Sequence, residues 1–84
     1  MPKSTVVTAT TTAAIAVAAN IADQTVNLHS SSGTLYIGGS DLTTANGYKL
    51  DNGDKLTILL GGSEALYAIT TSGTATLYVL SQVN

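Results

Sequence analysis

Short stretches in which polar and apolar residues alternate recur along the chain, and a period of two predicts β-strands. Between residues 24 and 29, the alternation points Val26 and Leu28 to the core, with Asn27 and His29 outward. The same pattern predicts core positions in later strands, at Leu56, Ile58 and Leu60, at Leu66 and Ala68, and at Leu77 and Val79.

Pairs of turn-forming residues separate these stretches at close intervals. The intervals accommodate strands but are too short for ordinary helices. We therefore predict an all-β fold, a small antiparallel β-sandwich or jelly-roll-like barrel of about seven to eight short strands. The turn signals are Ser32-Gly33, Gly38-Gly39, Asn46-Gly47, Asn52-Gly53, Gly61-Gly62 and Ser72-Gly73.

The first third of the chain is rich in threonine and alanine and poor in large apolar residues. Alanine favours a helix, but the threonines and the lack of an apolar stripe at helical spacing favour strands or an extended arm. We predict residues 1–12 as a candidate extended arm that contacts a neighbouring subunit. Residues 13–84 are predicted to form a single β-sandwich domain.

The last two predicted strands carry apolar side chains on both faces. Opposite their core positions lie Tyr67 and Ile69 in one strand and Tyr78 and Leu80 in the other. Two apolar faces are typical of a sandwich strand that also meets a second surface. We therefore expect the outer faces of these strands to contact another subunit.

Composition adds a reason for self-association. A chain of 84 residues builds only a thin core, and with no cysteine it has no disulfide or thiolate zinc site to reinforce it. Charged residues make up 10% of the sequence, with a net charge of −2, whereas typical soluble domains carry about 25%. A nearly neutral surface promotes association.

The same counts exclude several kinds of partner. Three lysines without arginine cannot form the basic stripe that neutralises phosphates, so no nucleic-acid partner is expected. No run reaches the 18 apolar residues of a membrane helix, so no membrane partner is expected either. Lys3 and the apolar run 13–19 imitate a signal peptide only weakly, and we expect no cleaved signal.

Candidate catalytic chemistry is sparse. His29 is the single histidine, there is no cysteine nucleophile, and no Gly-x-Ser-x-Gly motif occurs. A lone imidazole on the polar face of a strand is most often a surface residue. We therefore predict that the chain is not an enzyme and has neither a cofactor nor a metal.

Two loop motifs have competing interpretations. Residues 51–54, Asp-Asn-Gly-Asp, supply oxygen ligands for calcium, but they lack the spacing of an EF-hand and fit a hairpin turn better. Residues 38–41, Gly-Gly-Ser-Asp, match neither phosphate-binding glycine motif, so the glycines are expected to form a sharp strand exit.

The tyrosines point to a protein contact. Three of them lie within predicted strands and one follows a turn, and tyrosine is enriched at protein interfaces. We predict an interface from the four tyrosines and two valines of the N-terminal segment: Val6, Val7, Tyr36, Tyr48, Tyr67 and Tyr78.

The middle and end of the chain carry a distinctive set of motifs. They are the block Leu35–Thr44, then Gly47 and Leu50, then Gly53-Asp54, then Leu66–Ile69, and Gly73 before Val79-Leu80. By these motifs, residues 25–81 resemble a group of small bacteriophage virion proteins, the β-sandwich domains of capsid decoration (cement) proteins and of head or tail fibres. The resemblance is most specific between Leu35 and Leu50. The first 24 residues, rich in alanine and threonine, depart from that pattern.

The resemblance implies a non-enzymatic decoration protein on the outer surface of the virion capsid, and it makes the capsid a second candidate contact for the arm of residues 1–12. Its implied partners are the major capsid protein and further copies of itself; a trimer suits the threefold positions of an icosahedral lattice, although the residues do not choose between two and three copies. The alternative is a head-fibre or tail adhesin module that recognises a host receptor or glycan through Asp41, Asn46, Tyr48 and Asn52. A small hydrolase or metal-dependent enzyme is a third, weaker interpretation, because His29 lacks partners.

Overall fold

The computed structural model describes residues 2–83, which form eight strands in two antiparallel sheets. No helix occurs within that range. The prediction of an all-β fold with seven to eight short strands is therefore confirmed. The strands are β1 (Pro2–Ala9), β2 (Ala14–Val17), β3 (Gln24–Ser32), β4 (Leu35–Gly38), β5 (Tyr48–Leu50), β6 (Lys55–Leu60), β7 (Leu66–Ile69) and β8 (Ala75–Val83).

The strand order is that of a jelly roll. One sheet has the order β1-β8-β3-β6, and the other has the order β2-β7-β4-β5. Every connection except the one between β4 and β5 crosses from one sheet to the other. Each sheet therefore combines strands from distant parts of the sequence, a feature of double-sheet jelly rolls.

The core lies between the sheets and is built by the alternation seen in the sequence. Val26 and Leu77 have no exposed surface, and Leu28 is 2% exposed. Leu56 and Ile58 are partly buried and pack against this core. The predicted core faces of β3, β6 and β8 are thus confirmed, and so is that of β7, where Leu66 and Ala68 are buried.

The N-terminal segment forms an edge strand. β1 pairs with β8 along its whole length, from Pro2 opposite Gln82 to Ala9 opposite Ala75. Ala9 is buried, because its side chain closes the core at the end of this strand. The preference for a strand over a helix holds for residues 2–9. Contact of residues 1–12 with a capsid or neighbour stays a prediction, and Met1 lies outside the described residues.

The Asn52-Gly53 turn is present, but its prediction as a hairpin is wrong. β5 and β6 belong to different sheets, so the turn carries the chain across the sandwich instead of joining paired strands. The Asp54 N–H donates a 2.9 Å hydrogen bond to the Asp51 carbonyl, and Gly53 has φ = 89°. A positive φ at the third position alone is the geometry of a type II turn.

Buried polar side chains fasten the loops to the sandwich. The Gln24 amide donates to the Ala18 carbonyl at 3.0 Å, and the Ser30 hydroxyl donates to the Gly33 carbonyl at 3.1 Å. Within residues 2–83, every buried side-chain nitrogen and oxygen has a hydrogen-bond partner. Satisfied groups of this kind hold loop ends in fixed positions relative to the sheets.

Candidate functional site on the outer face of the β1-β8-β3-β6 sheet

A shallow depression of about 570 Å³ crosses the outer face of the β1-β8-β3-β6 sheet. Strand register brings four side chains into one row across it. Val6 lies opposite Tyr78, Tyr78 lies opposite His29, and His29 lies opposite Lys55. We call this surface the outer depression, defined by this row and the row beside it.

The second row is formed by the neighbouring outward positions of the same strands. Ser4 lies opposite Leu80, Leu80 lies opposite Asn27, and Asn27 lies opposite Thr57. The Thr57 hydroxyl donates a 2.8 Å hydrogen bond to the Asn27 side-chain oxygen. This bond fixes the polar side of the outer depression, next to β6.

The middle of the outer depression is apolar and open. Val6 is 60% exposed, Tyr78 is 47% exposed and Leu80 is 44% exposed. The three side chains are neighbours on paired strands, so they form one continuous patch. Contiguous exposed apolar surface rimmed by polar residues marks an interaction site more often than scattered apolar residues do.

Lys55 is the one charged residue that lines the outer depression. The acids nearest to it in sequence are engaged in their own turn. The Asp54 carboxylate accepts a 2.9 Å hydrogen bond from the Asp51 N–H, and the Asp51 carboxylate lies 3.7 Å from the Lys49 ammonium. Across residues 2–83, Lys55 has no ion-pair partner, so its charge is available to a ligand or partner.

Candidate chemical groups near this face include His29 and the two aspartates of the turn before β6. The His29 ring lies against the Tyr78 ring, and within residues 2–83 it forms no ion pair with a carboxylate. Within the described part of the chain, no three His, Cys, Asp or Glu side chains are grouped as metal ligands. In the Asp51–Asp54 turn, the Asp54 carboxylate accepts from the Asp51 N–H, whereas the Asp51 carboxylate accepts a 3.4 Å hydrogen bond from the Thr34 hydroxyl.

No helix in the described range is long and apolar enough to span a membrane.

The predicted interface residues divide between two surfaces. Val6 and Tyr78 are cross-strand partners in the outer depression, whereas Val7 packs against the core. Tyr36 and Tyr67 lie half-buried on the outer side of the other sheet. Tyr48, at the start of β5, is 61% exposed. Their role at an interface stays a prediction.

The outer faces of β7 and β8 differ. Ile69 on β7 is 8% exposed and is therefore covered within the chain, whereas Leu80 on β8 remains open. Of the two strands predicted to have a second apolar face, β8 offers the larger exposed area. β7 pairs with the short strands β2 and β4, whereas β8 lies between the long strands β1 and β3.

Sequence reasoning missed an exposed isoleucine. Ile21, in the loop between β2 and β3, is 93% exposed, more than any other large apolar residue of the described range. It belongs to no alternating stretch, and it lies between the polar residues Asn20 and Asp23. An isolated large apolar residue in a polar loop was the available signal.

Comparisons with known proteins inform the fold. No family model matches the chain, and no curated protein matches it; no capsid decoration family is identified. A chain from the disulfide-linked pili that form Bacillus endospore appendages is similar in structure, with a TM-score of 0.60 at 18% identity. The match covers 96% of this chain and 83% of that chain. At this identity the likeness shows that both chains share a β-sandwich fold.

Proposed function

We propose that this chain is a non-enzymatic structural subunit that attaches to the outer surface of a virion capsid and to copies of itself. The observation that carries the proposal is the outer depression, a continuous apolar patch with a single charge on a protein of low overall charge. The resemblance of residues 25–81 to phage decoration proteins supplies the capsid as the larger partner. Residues 1–12 are proposed to add contacts along β1.

The dimensions of the face suit a contact that is repeated many times. Four strands about 4.8 Å apart and about eight residues long give roughly 500 Å². Stable protein pairs bury about 800 Å² per partner. One such contact is weak, but a lattice that presents many copies raises the effective concentration and gives firm attachment.

A filament subunit is the second candidate, and the structural likeness to an endospore pilus protein favours it. Under this proposal the chain polymerises without a capsid. The present sequence contains no cysteine, so disulfide links are not available to it. Its filament would depend on noncovalent contacts alone.

The adhesin alternative has less support from the loops. The Asn46 side chain accepts a 2.7 Å hydrogen bond from the Thr43 N–H and donates to the Asp41 carbonyl at 3.1 Å. These polar atoms stabilise their own loop and are occupied. Tyr48 and Asn52 remain exposed, but Tyr48 begins β5 and Asn52 lies in the turn after that strand.

Electron microscopy of the purified protein, alone and mixed with capsids stripped of decoration, tests the proposal. We expect regular density at symmetric positions on the capsid and none at the tail. Because apolar contacts dominate, occupancy should change little between about 0.05 and 0.5 M salt. Bare capsids together with filaments of the protein alone would overturn the capsid role in favour of the pilus-like candidate.

A further inference from the structure

We infer that copies of this chain join head to tail, with a loop of one copy seated in the outer depression of the next. The loop residues are Ile21, Asp23 and Glu64, which we call the knob. The inference rests on the self-association part of the proposed function and not on the capsid.

The knob exposes apolar surface without a partner in the chain. Ile21 is 93% exposed, so nearly all of its side chain is in water. A flexible loop would lower this cost by folding the side chain back against the sandwich. Burying a side chain of this size on another molecule is favourable in proportion to the area removed from water.

Ile21 is held outward by a second loop. The Ser63 N–H donates to the Asn20 carbonyl, and the Ala22 N–H donates a 3.0 Å hydrogen bond to the Asn20 side chain. Gly62 lies so close that a Cβ there would be 2.7 Å from the Ile21 carbonyl oxygen. Ser63 adopts φ = 65°, a conformation rare for residues other than glycine. A fixed loop loses little conformational entropy when it binds.

One carboxylate lies beside the Ile21 backbone, and a second lies on the neighbouring loop that contacts it. A Cβ atom added to Gly62 would lie 2.7 Å from the Ile21 carbonyl oxygen and 3.8 Å from an Asp23 carboxylate oxygen. Asp23 therefore lies beside the Ile21 backbone. The Glu64 carboxylate accepts a 2.7 Å hydrogen bond from the Gly61 N–H, and its residue remains exposed. The knob therefore combines an apolar tip with two negative charges.

The outer depression has the complementary character. Its floor is apolar at Val6, Tyr78 and Leu80, and its charge is the unpaired Lys55. No carboxylate lines it. A knob with an apolar tip and two carboxylates fits an apolar floor beside a cation, and complementary charge favours this partner over others.

A second copy has to supply the knob. Ile21 and Asp23 directly precede Gln24, at the start of β3, and the two rows of the outer depression lie three and five residues further along that strand, at Asn27 and His29. These separations are about 10 and 17 Å, and Ile21 is not among the residues that line the depression of its own chain. The contact is therefore heterologous, and repetition gives a closed ring or an open filament.

The test uses two variants and their mixture. Ile21→Ser removes the tip, and Val6→Glu places a negative charge in the depression facing the knob. Each variant alone should self-associate at least about tenfold more weakly than the wild type in sedimentation velocity. A 1:1 mixture should form a dimer, because the knob of the Val6→Glu chain still fits the depression of the Ile21→Ser chain.

Matched controls separate this contact from general changes in surface. Leu59→Ser removes a 74% exposed aliphatic side chain outside the depression, and Thr8→Glu adds the same charge to β1 beyond it. Both should assemble like the wild type. Circular dichroism and urea unfolding check that all four variants fold.

Three results would overturn the inference: wild-type assembly by either test variant, a mixture that stays monomeric, or controls that fail in the same way. In these cases decoration of capsids by the wild type leaves the proposed function standing. A wild type that stays monomeric at millimolar concentration overturns the inference together with self-association.

Discussion

The rings of His29 and Tyr78 meet across the β3–β8 pair, with centroids 6.4 Å apart and planes inclined by 33°. Cross-strand contacts of this kind contribute fractions of a kcal/mol to about 1 kcal/mol. Tyr78 makes this contact and also lies at the centre of the outer depression. We therefore expect this one side chain to affect both the stability of the fold and its assembly.

Replacing Tyr78 with alanine should therefore have two unequal effects. The free energy of unfolding should fall by about 1 kcal/mol, because the ring is half exposed, while self-association weakens by about tenfold. Urea unfolding and sedimentation velocity measure the two effects. Ile15→Ala, which removes a 53% exposed aliphatic side chain on β2, outside the depression, should leave assembly unchanged.

A core substitution should be far more costly than one on the opposite face of the same strand. Leu77 has no exposed surface, and Leu77→Ala should lower the free energy of unfolding by about 2–5 kcal/mol. A total stability of about 5–15 kcal/mol is typical, so this variant should be close to unfolding. Leu80→Ala, measured by the same urea titration, should cost about 1 kcal/mol or less. Equal losses for the two variants would contradict the assignment of faces.

Thr70 ties together three connections at one end of the sandwich. Its hydroxyl donates a 2.8 Å hydrogen bond to the Thr34 carbonyl, and its N–H donates to the Thr10 carbonyl at 2.8 Å. Thr70→Val keeps the shape but leaves the Thr34 carbonyl without its partner, which should cost about 1–3 kcal/mol. Thermal unfolding measures the loss. Thr71→Val, at an exposed position, should change stability by less than about 0.5 kcal/mol.

Gly47 is required by close packing in the loop between β4 and β5. A Cβ at this position would lie 2.6 Å from the Tyr36 Cβ and 2.7 Å from a Leu42 methyl group. Gly47→Ala should therefore lower stability by about 1–3 kcal/mol. Gly39→Ala in the same loop meets only an ordinary 3.5 Å contact and serves as the control. Comparable unfolding midpoints for the two variants would show that the loop yields without cost.

The sequence predicted those features that follow from local alternation. Val26 and Leu28 turn inward because their neighbours in β3 are polar and the strand is long enough for a period of two to be visible. Local alternation does not predict which of the two sheets contains β6. Asn-Gly dipeptides usually close hairpins, yet here the turn crosses between sheets, and only long-range strand pairing decides which connection forms.

The candidate site was predicted in part for the same reason. The exposure of Tyr78 and Val6 follows from strand alternation, but their contact across the β1–β8 register joins residues that are far apart in the sequence. The exposure of Ile21, by contrast, could not be predicted from local alternation at all. Its exposure depends on a neighbouring loop that holds it outward, and no period in the sequence encodes that contact.

The pairing of β1 with β8 places Pro2 directly opposite Gln82, so the two ends of the described chain leave the sandwich side by side. Paired residues in an antiparallel ladder lie about 5 Å apart. Such a domain is suited to be inserted as a cassette into a surface loop of a host protein, whose two loop ends are similarly close. A peptide fused to either end would emerge at the end of the sandwich that carries Ile21, which makes the opposite end the better place for a reporter that must not disturb assembly.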